Sequence, residues 1–233
     1  MTIEINTLFH LSVTVSVLLG LLLLYGWWIS RTVPALAWWG AGMLLIGVGL
    51  ALVAARLSIH HILSIALANA TIFVGAGLIW TGCRVFDNRK LFWPVLVAGP
   101  AIWLVACLVP AFYGSINARA ICAFTILGIY TLTGAYELWK GRALPLLTRW
   151  PTIVLLAVHG ALFFVRIALV LMAPLQEGLP GQTSLWFVVL LYEVILYEIA
   201  LSFSFFAMAK ERGGQHLVIA MPQGLGNPSA PSR

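Results

Sequence analysis

Residues 152–173 read TIVLLAVHGALFFVRIALVLMA, in which His159 and Arg166 are the only ionisable side chains. A helix of about 20 such residues crosses the ~30 Å of bilayer hydrocarbon. Inside lipid, only a segment that satisfies its own backbone N–H and C=O groups persists, and an open strand does not. Six further apolar runs of similar length lie at 8–29, 35–55, 62–83, 92–112, 120–139 and 185–209. Their connections are short and polar, Gly-containing or Pro-containing, which forces consecutive helices to be antiparallel neighbours in one bundle. The sequence therefore predicts an all-α, polytopic membrane protein with a seven-transmembrane-helix bundle over residues 1–209. Lys210, Glu211 and Arg212 then mark an interface, Gly213 and Gly214 are expected to end the last helix, and 210–233 reads as a mostly disordered cytoplasmic tail.

Composition agrees. Of 233 residues 62% are hydrophobic and 9% charged, with a mean hydropathy of +1.02. A soluble domain carries about 25% charged residues, so a water-soluble enzyme and a disordered chain are both excluded. The net charge of +6 reports topology rather than nucleic-acid binding. With the N-terminus outside, ten of the thirteen basic residues fall on inner loops and tail; Arg56 and Arg119 fall outside, and Arg166 lies within a span. Positive-inside asymmetry of that size predicts an N-out, C-in orientation. Eight of the ten tryptophans, among them Trp27, Trp28, Trp139 and Trp150, sit at the same inner ends, the headgroup level an indole prefers. The residues before the first span carry no Lys or Arg, so that span is expected to stay in the mature protein rather than act as a cleaved signal.

Ionisable side chains inside a bilayer cost about 2.5–3.5 kcal/mol or more unless paired or hydrated, which makes Glu137, His159, Arg166, Glu193 and Glu198 the informative residues. Glu137 lies near an inner helix end and is expected to meet an inner-loop cation. The other four occupy the sixth and seventh spans. At 1.5 Å per residue, Arg166 and Glu193 lie about 10–12 Å below the outer surface, and His159 and Glu198 share a level near the midplane. Two rungs are expected, Arg166 with Glu193 and His159 with Glu198. Because Glu193 and Glu198 are about 140° apart around a helix, the first rung is the better placed. Buried ion pairs stabilise less than apolar packing does, so two such pairs suggest specificity or switching as well as a plain interhelical tie.

An outer-face polar cluster comprises His10, Arg56, His60 and His61, with Asn69 about two turns into the third span. Interfacial solvation accounts for it. Adjacent His60 and His61 point about 100° apart on a helix and so seldom share a metal. His159 lacks a second intramembrane histidine at its depth for haem, and Lys210 stands at the end of the last span, not within it as a retinal lysine would. No phosphate loop, Cys-x-x-Cys or histidine pair at helical spacing occurs, so no catalytic residue, metal or cofactor is assigned. The glycines of WWGAGMLLIGVGLAL (from Trp38) and FVGAGLIWTG (from Phe73) read as close helix contacts. Cys107 and Cys122 fall at similar depth, near enough for a bridge, with buried free thiols as the alternative.

Several motifs occur in order: ANATIFVGAGLIWTGCRVFDNRK from Ala68, AYELWKGR from Ala135, RWP at 149–151, HGALFFVR from His159 and AMAKER from Ala207. Over about 40–212 the chain resembles the multi-span N-terminal sensory membrane region of bacterial GGDEF diguanylate cyclases. The GGDEF motif itself is missing. The resemblance thus implies a non-catalytic sensory module of the bacterial inner membrane, with Asn69, His159, Arg166, Glu193 and Glu198 as the ligand-binding or switch residues. Its partners would be the lipid bilayer, a small-molecule ligand, and a membrane or cytoplasmic protein reached through the inner loops and tail. Two other readings remain: an accessory subunit of a larger electron-transfer or light-harvesting membrane complex, and a small cofactor-binding redox membrane protein.

Overall fold

The computed structural model describes residues 5–175 and 185–220. In chain order these form α1 (Ile5–Ile29), α2 (Ala35–Ala54), a 3-10 turn (Ala55–Leu57), a π-helical turn (Ile62–Leu67) running into α3 (Ala68–Phe86), α4 (Trp93–Cys107), the short α5 (Pro110–Tyr113), α6 (Ile116–Lys140), α7 (Arg149–Met172) and α8 (Leu185–Ala220). No strand occurs among the described residues. Six helices are long and apolar enough to cross a membrane, and α4, at 15 residues, is shorter. The protein is a multi-pass, all-helical membrane protein. Its outer surface carries Leu18, Val105, Val154, Leu196 and Phe203, each about half exposed or more, as a lipid-facing surface requires.

Two departures from the sequence reading stand out. The run expected as one helix over 92–112 divides at Leu108 and Val109, where Pro110, which cannot continue an α-helix interior, opens a separate turn. At the other end of the chain, α8 does not stop at Gly213 and Gly214 but continues to Ala220. Each glycine costs a helix only about 1 kcal/mol, too little to end one on its own. Residues 221–233 of the expected tail lie outside the described residues.

Small residues set the helix spacing. A Cβ on Gly42 would stand 2.7 Å from the Gly75 carbonyl oxygen, and a Cβ on Gly75 would stand 2.7 Å from that of Gly42. Backbones of α2 and α3 meet there in direct contact. Farther along the same pair, a Cβ on Gly49 would lie 2.7 Å from the Ala68 oxygen. The glycine-rich runs are therefore interface material. Trp39 of α2 stacks on Phe205 of α8 at 3.9 Å and anchors the main buried cluster.

Two further features follow from backbone accounting. The π-helical turn disturbs the ladder at the start of α3, and side chains donate to carbonyls there: Asn69 Nδ2 to Ile65 O at 2.8 Å and Trp103 Nε1 to Ala66 O at 3.2 Å. In α4, Pro100 lacks an N–H, and the Tyr130 hydroxyl from α6 wedges into the adjacent turn. It donates to Val95 O at 2.6 Å and accepts from the Gly99 N–H at 3.0 Å. Gly99 has no side chain because Tyr130 occupies its place.

Candidate functional site

The ends of α3 and α6 and the start of α7 carry a dense ionic network. Glu137, nearly buried at the end of α6, is bonded by Arg84 at 2.9 Å, Arg89 at 2.6 Å and Lys140 at 3.3 Å. Next to it the Asp87 carboxylate receives both terminal nitrogens of Arg149 at 2.8 Å. Arg149 also donates to Leu138 O at 2.9 Å and is 1% exposed. Arg212 of α8 approaches Asp87 at 3.9 Å and lies 4.7 Å from the Phe86 ring. The expected loop cation for Glu137 is thus three cations. Charge sidedness alone does not announce the Asp87–Arg149 pair, nor the hydrogen bonds that Glu211 of α8 accepts from Leu147 and Thr148.

Deeper in the bundle, α7 and α8 meet through one carboxylate. Glu193 pairs with Arg166 and also bonds His159 Nδ1 at 2.7 Å. His159 and Arg166 are both about 4% exposed, whereas the Glu193 side chain is 26% exposed. His159 stacks flat on Tyr197 of α8 at 3.5 Å and meets the Phe163 ring edge-on at 4.8 Å. The Arg166 guanidinium lies 4.7 Å from the same Phe163 ring. The arrangement is a clamp: two α7 cations or donors, seven residues apart on one helix face, close on one α8 carboxylate.

The second expected rung is corrected. Glu198 does not meet His159 but accepts a hydrogen bond from Ser16 of α1 at 2.7 Å. The reason is angular, since five residues turn Glu198 well away from the face that presents Glu193. Glu198 is 4% exposed. It lines a central cavity of about 180 Å³ to which α1, α2, α3, α6, α7 and α8 all contribute. His159 and Tyr197 line the same cavity, so the clamp and the cavity share a wall.

Asn69 is half-buried and committed to Ile65 O, away from the clamp. The outer cluster is not assembled into a site: His10, Arg56, His60 and His61 are all exposed, and His60 Nδ1 accepts from the Ile62 N–H two residues on. Among the described residues no group of three or more His, Cys, Asp or Glu is placed to hold a metal ion. Cys83, Cys107 and Cys122 are free thiols.

Fold and site together define a polytopic helical membrane protein with a buried polar clamp beside a central cavity. Comparison with protein-family models, curated proteins and solved structures finds no match.

Proposed function

We propose that this chain is a non-catalytic sensory module of the bacterial inner membrane, in which α7 and α8 form a polar switch. The observation that carries the reading is that one carboxylate, Glu193, serves both His159 and Arg166. Glu193 holds the two partners through separate oxygens, so either contact can open while the other stays closed, and a few kcal/mol of differential binding selects between those states. His159 also lines the central cavity, so an occupant there touches one partner of Glu193 directly. The resemblance of residues 40–212 to the sensory regions of GGDEF diguanylate cyclases supports the same role. The partner that receives the signal is a membrane or cytoplasmic protein at the end of α8.

The proposed topology is seven spans, N-out and C-in. Arg84 near the end of α3 meets Glu137 near the end of α6, so α3 and α6 finish at one level and the chain between them returns across the bundle through α4. Fifteen residues of helix reach about 22 Å, and α5 with the flanking loops covers the remainder of a ~30 Å hydrocarbon layer. Gly213 of α8 lies 3.7 Å (from an added Cβ) from Thr32, just past α1, so the first and last helices run the same way. The basic residues gather at that common end.

The test places spin labels at Leu147 and Gly214, both exposed, on a cysteine-free background in lipid nanodiscs. Glu193→Gln and Arg166→Met are each expected to shift the inter-label distance by about 1–5 Å, the scale of helix displacements in switching proteins. Distributions identical to wild type in both variants overturn the switch.

A further inference from the structure

We propose that the central cavity binds a one-ring apolar molecule carrying a single hydrogen-bond donor, which it presents to Glu198. The proposal rests on the sensory reading above and supplies its ligand.

Size comes first. An apolar cavity of about 150 Å³ accepts benzene, and this one measures about 180 Å³, which leaves room for one ring and a small substituent. The walls are mainly aliphatic and aromatic, with Ile72, Leu156 and Phe163 among them.

Polarity then selects the substituent. Four hydroxyl groups line the cavity, and three already donate to a backbone carbonyl: Ser12 to Leu8 O at 3.0 Å, Thr131 to Leu127 O at 2.8 Å and Tyr130 to Val95 O at 2.6 Å, while the fourth, Tyr197, has no hydrogen-bond partner among the described residues. Glu198 differs from them. Its carboxyl group accepts at both oxygens, and the Ser16 hydroxyl at 2.7 Å fills one site. No other partner is seen for Glu198 among the described residues. A buried acceptor in apolar surroundings is costly until a donor reaches it. An anionic ligand would face the carboxylate, and a metal ion lacks a ligand set among the described residues. A neutral or cationic donor on an apolar ring is the group that satisfies Glu198, with Trp80 Nε1 in the same wall also without a hydrogen-bond partner among the described residues.

The cavity also has a built-in control. Gly134 lines it, and an added Cβ there meets only Cys83 Sγ, at 3.8 Å. A larger side chain at this position is expected to take up cavity volume.

The experiment titrates the full chain in lipid nanodiscs with benzylamine, phenol, benzene and benzoate, following tryptophan emission, since Trp80 lines the cavity. Benzylamine and phenol are expected to saturate the change. Benzene is expected to bind about tenfold more weakly, the factor lost with one hydrogen bond, and benzoate not at all. Glu198→Leu should equalise benzylamine and benzene, and Gly134→Leu should abolish both. Equal binding of benzene and benzylamine by the wild-type protein, saturable binding that survives Gly134→Leu, or no saturable change with any probe overturns the proposal. The wild-type series decides the matter even where a variant fails to fold. Absence of binding together with spin-label shifts in Glu193→Gln removes the ligand and leaves the switch; binding without those shifts removes the switch and leaves the ligand site.

Discussion

The Glu211 carboxylate of α8 accepts the Thr148 hydroxyl at 2.5 Å and the Thr148 backbone N–H at 3.1 Å, with the Leu147 N–H a further donor at 2.8 Å. Thr148 is the N-cap of α7, yet its own side chain makes no capping hydrogen bond. The first turn of α7 is thus capped by a residue 63 positions away, and the negative charge sits where the helix dipole favours it. Losing a cap costs about 1 kcal/mol. Glu211→Ala should accelerate amide exchange at Leu147 and Thr148 while leaving the middle of α7 protected. Unchanged exchange at those two amides would show that the cap contributes nothing.

Gly141 is occupied space. A Cβ there would stand inside the Asp87 carboxylate and against the Arg149 guanidinium. Breaking a buried ion pair by removing one partner costs about 3–5 kcal/mol. Gly141→Ala should therefore lower the melting temperature in detergent about as much as Asp87→Asn does. The double variant should be little worse than either single one, since both act on one pair. A Gly141→Ala protein that melts with wild type contradicts this packing.

Tyr130→Phe removes the hydroxyl that bridges Val95 O and Gly99 N inside α4. Leaving buried backbone groups unpaired costs about 1–3 kcal/mol. The expected signature is local: faster exchange of the Gly99 amide, with α1 and α2 unaffected. Uniform destabilisation of the whole bundle would argue against a wedge.

Two glycines should respond with opposite sign. Gly42→Val forces the α2 and α3 backbones apart, and overpacking of this kind costs about 1–3 kcal/mol. Gly134→Ala meets only Cys83 Sγ, at an ordinary contact distance of 3.8 Å, and removes a flexible residue from a helix interior, worth about 0.5–1 kcal/mol in favour of the fold. Thermal melts of the two variants, side by side with wild type, read both signs at once.

The apolar runs made most of the helices legible, because a bilayer imposes length and hydropathy on every crossing. What length alone could not show was internal irregularity. Pro110 divides the run that was expected as a single helix over 92–112, and Gly213 with Gly214 fails to end α8. The Arg166–Glu193 contact was legible from depth along two antiparallel helices. The His159–Glu198 rung was not, because depth ignores direction around the axis. His159 and Arg166, sharing a face, converge on Glu193, and Glu198 turns to Ser16. Nothing local in the sequence announces Ser16 as a partner or Glu211 as a cap. Both contacts join elements far apart in the chain.

At 36 residues α8 is about 54 Å long, well beyond the ~30 Å hydrocarbon layer. Past Arg212, which approaches Asp87, the backbone stays helical for eight more residues to Ala220. A continuous hydrogen-bonded rod transmits twist with little loss. A roll about the α8 axis at Glu193 would therefore emerge at the far end of the helix as the same roll, like the turn of a key.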